Sequence, residues 1–275
     1  MREAVRDRLW AAGLDPRVVG RLRWIKKVHV LRLSGVSPWR HVRYVLADPE
    51  IDNFTYELAN EDELVAWLAE QFGATSERVA ELLAEAHANP ALHQRLRAAT
   101  SGRFSMKTAP PLGRRLGWYV IVRLLRPARM VETGIHDGLG SLTLLHALDR
   151  NAAEGAPGEL VSFDIDNTAG WIVGEHPRWS RRIESTRDAL AGALQEAPTQ
   201  VFLHDSLHTY DHERFELETA AAHLAPGGLL MSDNSNATTA LADVCADVGA
   251  RYAYFRERPR GHFYRGDGIG IGHLR

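Results

Sequence analysis

Met130-Val-Glu-Thr-Gly-Ile-His-Asp-Gly-Leu-Gly-Ser141 runs from an apolar pair into an acid, and then into a turn with glycines at 134, 138 and 140. An amphipathic run, Leu142 to Leu148, follows at once. This order reads as a strand, a tight glycine turn and a helix, the opening unit of a nucleotide-binding α/β fold. Glycine suits such a turn because the backbone can take positive φ there and approach a ligand closely. The acid at the strand tip narrows the ligand. Glu132 would repel a pyrophosphate, whereas a cationic amino-acid group would be tolerated or welcomed.

Outward from this unit, strands and helices alternate. Strands are expected at Leu160 to Asp164, Arg182 to Ser185, Gln200 to His204 and Gly228 to Ser232. Helices are expected at Leu190 to Glu196, Tyr210 to Leu224 and Thr238 to Val248, with Arg114 to Leu125 feeding the first strand. That spacing implies a mostly parallel, doubly wound sheet with helices on both faces. The chain ends differently. Arg251 to Arg256 and Gly268 to Leu274 are strand-like runs with no helix between them, which implies a closing antiparallel hairpin and seven strands in all. Residues 1–110 read as a helical N-terminal extension, a lid or an oligomerisation surface, and 111–275 as the ligand-binding domain. Helices are expected over Arg2 to Ala12, Arg17 to Leu33, Asn60 to Phe72, Ser76 to His87 and a shorter one from Pro90. Asn60 and Ser76 are candidate caps. A turn-rich linker, Ser101 to Gly113, separates the two parts.

Composition excludes several classes. A net charge of −2 over 275 residues gives no electrostatic reason to expect nucleic acid. No apolar run approaches the roughly 20 residues needed to span a bilayer. The basic run Arg21 to Lys27 reads as a solvated helix face, so no stable membrane association is expected. Cys245 is the only cysteine, which rules out an internal disulfide and suits a reducing, cytoplasmic setting. Trp10, Trp24, Trp39 and Trp67 read as packing residues.

In open α/β sheets ligands sit beyond the carboxyl ends of the strands. The first strand brings Glu132, Gly134, Gly138, Gly140 and Ser141 to that edge, and the second brings Asp164, placed to accept both hydroxyls of a ribose. Ser185, Thr186 and Arg187 follow the third strand as candidate edges for an adenine. Asp205 follows the fourth strand, and Asp233 with Asn234 follows the fifth. Two carboxylates and an amide oxygen are hard donors of the kind Mg²⁺ prefers. His208, three residues after Asp205, can lean over the same space, and a neutral imidazole there can take a proton from a hydroxyl. His204, His212 and His136 are alternatives. Helix caps are the competing explanation for Asp205 and for Asp233-Asn234.

From Leu112 to Arg275 the chain resembles the class I S-adenosylmethionine (SAM)-dependent methyltransferases. It is most similar to methyltransferase family 24 and the metal-dependent O-methyltransferases around it. The resemblance is carried by Val131 to Ser141, Phe163-Asp164, Phe202 to His208 and Pro226 to Asn234. It implies SAM as cofactor, Mg²⁺ or another divalent cation held by Asp205, Asp233 and Asn234, and methyl transfer to a hydroxyl of a sugar or another small metabolite. It implies His208 as base, where the catechol enzymes have lysine. The N-terminal helices are expected to cap the acceptor or to form a homodimer or higher homo-oligomer. Two rivals are a nicotinamide-dependent oxidoreductase, whose usual glycine spacing is not the one found here, and a non-catalytic module of the same fold.

Overall fold

The computed structural model describes residues 51, 54–100, 110–262 and 264–275. The helices expected over 2–12 and 17–33, the basic run at 21–27, Trp10, Trp24, Trp39 and residues 101–109 of the linker lie outside the described residues. Phe54–Arg275 forms one compact unit, separate from Met1–Asn53.

Three helices lead in: α1 (Glu61–Phe72), α2 (Ser76–Ala88) and α3 (Pro90–Thr100). Three acids in its first turn favour the start of α1, and Gly73 ends it in the left-handed conformation. The cap of α2 is Thr75, whose hydroxyl accepts from the Arg78 amide, one residue before the cap expected at Ser76. Next comes α4 (Arg115–Leu125), buried along most of its length. Arg123 of α4 reaches Glu85 of α2 at 2.7 Å, and Tyr119 donates to the same carboxylate at 2.7 Å. These contacts explain why the compact unit starts at Phe54 and not near residue 110. The segment from α1 to α3 has no sheet of its own, and it buries Leu64, Leu68, Leu82 and Leu83 within the unit that holds the sheet.

The sheet has seven strands: β1 (Arg129–Thr133), β2 (Glu159–Asp164), β3 (Trp179–Ile183), β4 (Val201–His204), β5 (Leu229–Asp233), β6 (Arg251–Phe255) and β7 (Ile269–His273). Their order is β3-β2-β1-β4-β5-β7-β6. The pairs β2–β3, β1–β2, β1–β4 and β4–β5 are parallel, and β7 runs antiparallel to both β5 and β6. The connecting helices are α5 (Leu139–Ala153), α6 (Thr186–Glu196), α7 (Tyr210–Ala221) and α8 (Ala240–Val248). The doubly wound sheet and the antiparallel closing hairpin are as the sequence implies.

Boundaries moved at the third strand and at the helix after it. The third strand lies upstream of the one expected at 182–185, because Trp179 pairs with Leu160 and its indole donates to Ser162 at 2.9 Å. That frees Ser185 to cap α6, which starts at Thr186 and not at Leu190. On one face of the sheet Val131, Phe163, Phe202 and Leu230 pack with Leu190, Leu217, Leu241 and Val244. Cys245 is buried in the same core, and burial pushes its thiol up to about 11, which leaves it inert as a nucleophile. Trp67 packs on Phe255 at 5.6 Å between ring centres, as a packing residue should. No described helix is long and apolar enough to cross a membrane.

Candidate active site

Strand order reverses at β1 and β4, which opens a crevice beyond their carboxyl ends. Every candidate residue lies along that edge, but the structure gives several of them other work.

The glycine turn is held from below. Gly134 has φ +84°, and a Cβ there would lie 2.1 Å from the Asp205 carbonyl oxygen. Only glycine lets β1 leave its strand so close to the loop after β4. Gly138 precedes α5 with φ +92° and rests against Gly170, and Gly140 packs on the Trp118 indole.

Glu132 is 1% exposed and lies under this turn. One of its carboxylate oxygens accepts from Ser141 at 2.6 Å and from Ser162 at 2.7 Å, tying β1 to α5 and β2. Burial raises its pKa to about 7 against the lowering effect of those two hydroxyls. Glu132 and Ser141, both expected at the cofactor, thus also tie the turn together, through one of the two Glu132 oxygens.

Asp164, at the end of β2, is partly exposed. One of its oxygens accepts from the Ile135 and His136 amides, each at 2.9 Å, and the other from the Asp166 amide at 2.9 Å. A carboxylate has about four acceptor positions. Three are used here, so Asp164 has room for one ribose hydroxyl, not the expected two. Next to it stands Ile165, 81% exposed, an apolar surface the sequence reading did not single out. Thr186 is buried in the first turn of α6, and the Arg187 guanidinium covers the Phe215 ring at 4.9 Å, so neither forms a free edge for a base.

At the tips of β4 and β5 the candidates do converge. Asp205, His208 and Asp233 each offer a ligand atom within 4.8 Å of the others. The Asp205 and Asp233 carboxyls stand close to each other. Burial, and then the Asp233 charge, raise the Asp205 carboxyl well above its usual range. Burial would raise Asp233 too, but the Arg114 guanidinium outweighs it and keeps Asp233 ionised. A carboxyl pair of this kind holds a proton or a cation between its members. Asp205 Oδ1 lies 3.7 Å from His208 Nε2. Burial lowers the His208 pKa, so the ring is neutral.

The cap explanation does not account for these acids. Thr209 and Thr239 occupy the cap positions of α7 and α8. The other histidines stay away from the pair. His204 is fully buried against Glu216 at 2.7 Å, His212 lies 2.9 Å from the other Glu216 oxygen, and the His136 side chain is 62% exposed beside Asp137.

Arg114 is the main residue that sequence reasoning missed. It is 4% exposed and grips both oxygens of Asp233 through Nε and Nη2. Its Nη1 donates to the Tyr56 hydroxyl at 2.7 Å, which in turn donates to Glu257 at 2.6 Å. Nothing local in the sequence marks an arginine before a helix as the partner of an acid 119 residues away. Glu213 and Glu216 could have been found. They fall on the α7 face that carries Leu217 and Ala220, and acids on a core-facing stripe must have buried partners.

Divalent-cation chemistry suits part of the expected set. Asp205 and Asp233 face each other, and Asp233 keeps free lone pairs beside its arginine. Asn234 does not join them. Its amide oxygen accepts from the Tyr264 hydroxyl at 2.7 Å, and its nitrogen faces His208 Nε2 at 3.0 Å. A cation between Asp205 and Asp233 would take the place of the proton that the raised Asp205 carboxyl otherwise holds.

Residues 131–235 match a family described as a methyltransferase domain. No curated protein matches the chain. Among solved structures, the O-methyltransferase from Bacillus cereus in complex with SAH is similar over 78% of this chain and 97% of its own, with 12% identity and a TM-score of 0.48. The O-methyltransferase TomG from Streptomyces achromogenes, involved in tomaymycin synthesis and bound to SAM, is similar over 79% and 99%, with 13% identity and a TM-score of 0.47. The MycE methyltransferase of the mycinamycin pathway, in complex with Mg, SAH and mycinamycin VI, is similar over 68% and 55%, with 15% identity and a TM-score of 0.43.

Proposed function

We propose that this chain, an enzyme whose residues 131–235 form a methyltransferase domain on a class I sheet, moves the methyl group of SAM to a hydroxyl oxygen of a sugar or another small metabolite. The observation that carries this reading is the half-buried Asp205 beside the buried Asp233, with a neutral His208 next to them, one strand over from the glycine turn.

SAM would lie across the β1 and β2 tips. The amides of the turn are pinned there by Asp164, which keeps one acceptor position for a ribose hydroxyl. Ile165 would give the adenine an apolar face to rest on. A divalent cation such as Mg²⁺ would be held by Asp205 and Asp233, with Asn234 able to join them once its amide turns from Tyr264; when bound, it supplies a lowered hydroxyl pKa and a fixed position for the acceptor oxygen.

The chain's own groups do the rest. A poor nucleophile must lose its proton as it attacks, and His208 Nε2 is the neutral nitrogen placed to take it. Asp205 sits against that nitrogen and would stabilise the imidazolium that forms. Arg114 holds Asp233 in one orientation through both its oxygens, which fixes the acid pair before substrate arrives.

Titration of the purified protein with SAM and with NAD, followed by calorimetry, separates this reading from a nicotinamide enzyme. SAM should bind and NAD should not. His208→Ala should lower kcat by about 100-fold or more while SAM affinity stays within about twofold. Full activity in that variant would remove His208 as the base.

A further inference from the structure

Between β2 and β3 the chain must cross from one parallel strand to the next, a job that usually falls to a helix. Here Ile165 to Arg178 makes the crossing without one. Its middle part is spent on another contact. The Gly170 amide donates to the His136 carbonyl at 2.7 Å, and the Ile172 amide to the Asp137 carbonyl at 3.1 Å. Between them, the Trp171 indole donates to Asp137 Oδ1 at 2.8 Å. Residues 170–172 thus lie along the glycine turn as a strap. The two backbones touch: a Cβ on Gly138 would stand 2.8 Å from Gly170 Cα.

The turn needs such a hold. His136 has φ +48°, a left-handed conformation that a residue with a side chain enters only at a cost. Asp137 is an acid within the turn and only 6% exposed, so its carboxylate needs donors in place of water. Asp164 accepts the His136 amide at 2.9 Å while Gly170 donates to the His136 carbonyl, which fixes the peptide groups on both sides of the strained residue.

The strap is tied down in turn. Arg95 of α3 donates through Nε to the Ile172 carbonyl at 2.5 Å. Arg181 of β3 donates to the Ala169 carbonyl at 2.7 Å. The Trp179 ring closes on Gly170, where a Cβ would fall 2.3 Å from it. Arg95 belongs to the helices ahead of the sheet, so α3 has a line of contact to the glycine turn.

We propose that Trp171 and Arg95 are positioning residues for SAM. Trp171 fixes the turn through Asp137, and Arg95 fixes the strap that carries Trp171. Neither needs to touch the cofactor. A turn already set in its bound shape spares part of the ordering cost of binding. The benefit to SAM rests on the reading of this turn as its site; the strap itself does not.

The test is calorimetry with SAM on the full-length protein, with amide hydrogen exchange of the unliganded protein beside it. Trp171→Phe keeps an aromatic ring and loses the indole donor; it should weaken SAM about tenfold. Arg95→Met should weaken it about threefold to tenfold. Asp137→Asn, which keeps an oxygen for Trp171, should bind SAM within about threefold of wild type, whereas Asp137→Ala should match Trp171→Phe. Without SAM, the amides of residues 134–140 should exchange about tenfold faster in Trp171→Phe, while those of β1 and β4 stay as in wild type. Unchanged SAM affinity in Trp171→Phe overturns the proposal, whatever the exchange does, and unchanged affinity in Arg95→Met removes Arg95 from it. Faster exchange throughout the sheet would show general destabilisation and overturns it too. A wild-type protein that does not bind SAM, but whose turn still responds to Trp171→Phe, would remove the cofactor reading and leave the strap in place.

Discussion

Glu132→Gln tests whether the acid of the glycine turn is a buried tether or a ligand contact. Its carboxyl is 1% exposed, and burial moves its pKa from the ordinary 4.5 to about 7. A raised folded-state pKa means that the native protein binds this proton more tightly than the unfolded chain. The group therefore costs no stability below pH 4.5, and its penalty grows as pH rises, levelling off above about 7. At ~1.4 kcal/mol per pKa unit, the full penalty is about 3 kcal/mol. Glutamine keeps an oxygen for Ser141 and Ser162 but never ionises. It also places an NH₂ near Gly140 and Trp118, and that cost does not depend on pH. The decisive quantity is the change in the stability difference between variant and wild type, because every constant cost cancels. Urea denaturation at pH 5 and pH 8 should show the variant gaining about 2–3 kcal/mol on the wild type between the two. SAM affinity of the folded variant should be preserved at both. A stability difference that stays flat would falsify the burial of an ionisable Glu132, and a folded variant without SAM affinity would return it to the binding surface.

Other consequences can be measured in the same way. Gly134→Ala puts a methyl group 2.1 Å from the Asp205 carbonyl at a φ of +84°, so it should destabilise the fold by about 2–4 kcal/mol in chemical denaturation and distort the acid pair with it. Arg114→Met removes the guanidinium that keeps Asp233 ionised and leaves a buried carboxyl without its partner; a loss of about 3–5 kcal/mol is expected, and a loss below ~1 kcal/mol would show that the arginine does not hold the site together. Ile165→Ser changes a side chain that is 81% exposed, so Tm should not move, while SAM binding by calorimetry should weaken about tenfold if the adenine rests there. Asp205→Asn should abolish any stimulation of turnover by Mg²⁺ and also remove the thermal shift that Mg²⁺ produces in the wild type; an unchanged shift would place the cation elsewhere.

The sequence by itself determined the order of the elements and the edge at which chemistry can occur. Glycines at 134 and 138, apolar runs of strand length and helices between them are local signals. The crevice beyond the β1 and β4 tips follows from the way parallel strands must be connected. It also placed Asp205, His208 and Asp233 together, because residues that follow neighbouring strands leave the sheet at the same end. What each of those groups does was decided by contacts between distant parts of the chain. Arg114 reaches Asp233, Glu257 pairs with Tyr56 201 residues away, and Tyr264 turns the Asn234 amide away from the acids. Glu132 and Asp164 look alike in sequence, each an acid at a strand tip. The first is roofed over by α5, while the second stays half open and holds the turn. Charge, protonation and direction of a buried polar group depend on which partners replace its water. Those partners are chosen by packing, so only the tertiary structure could assign them.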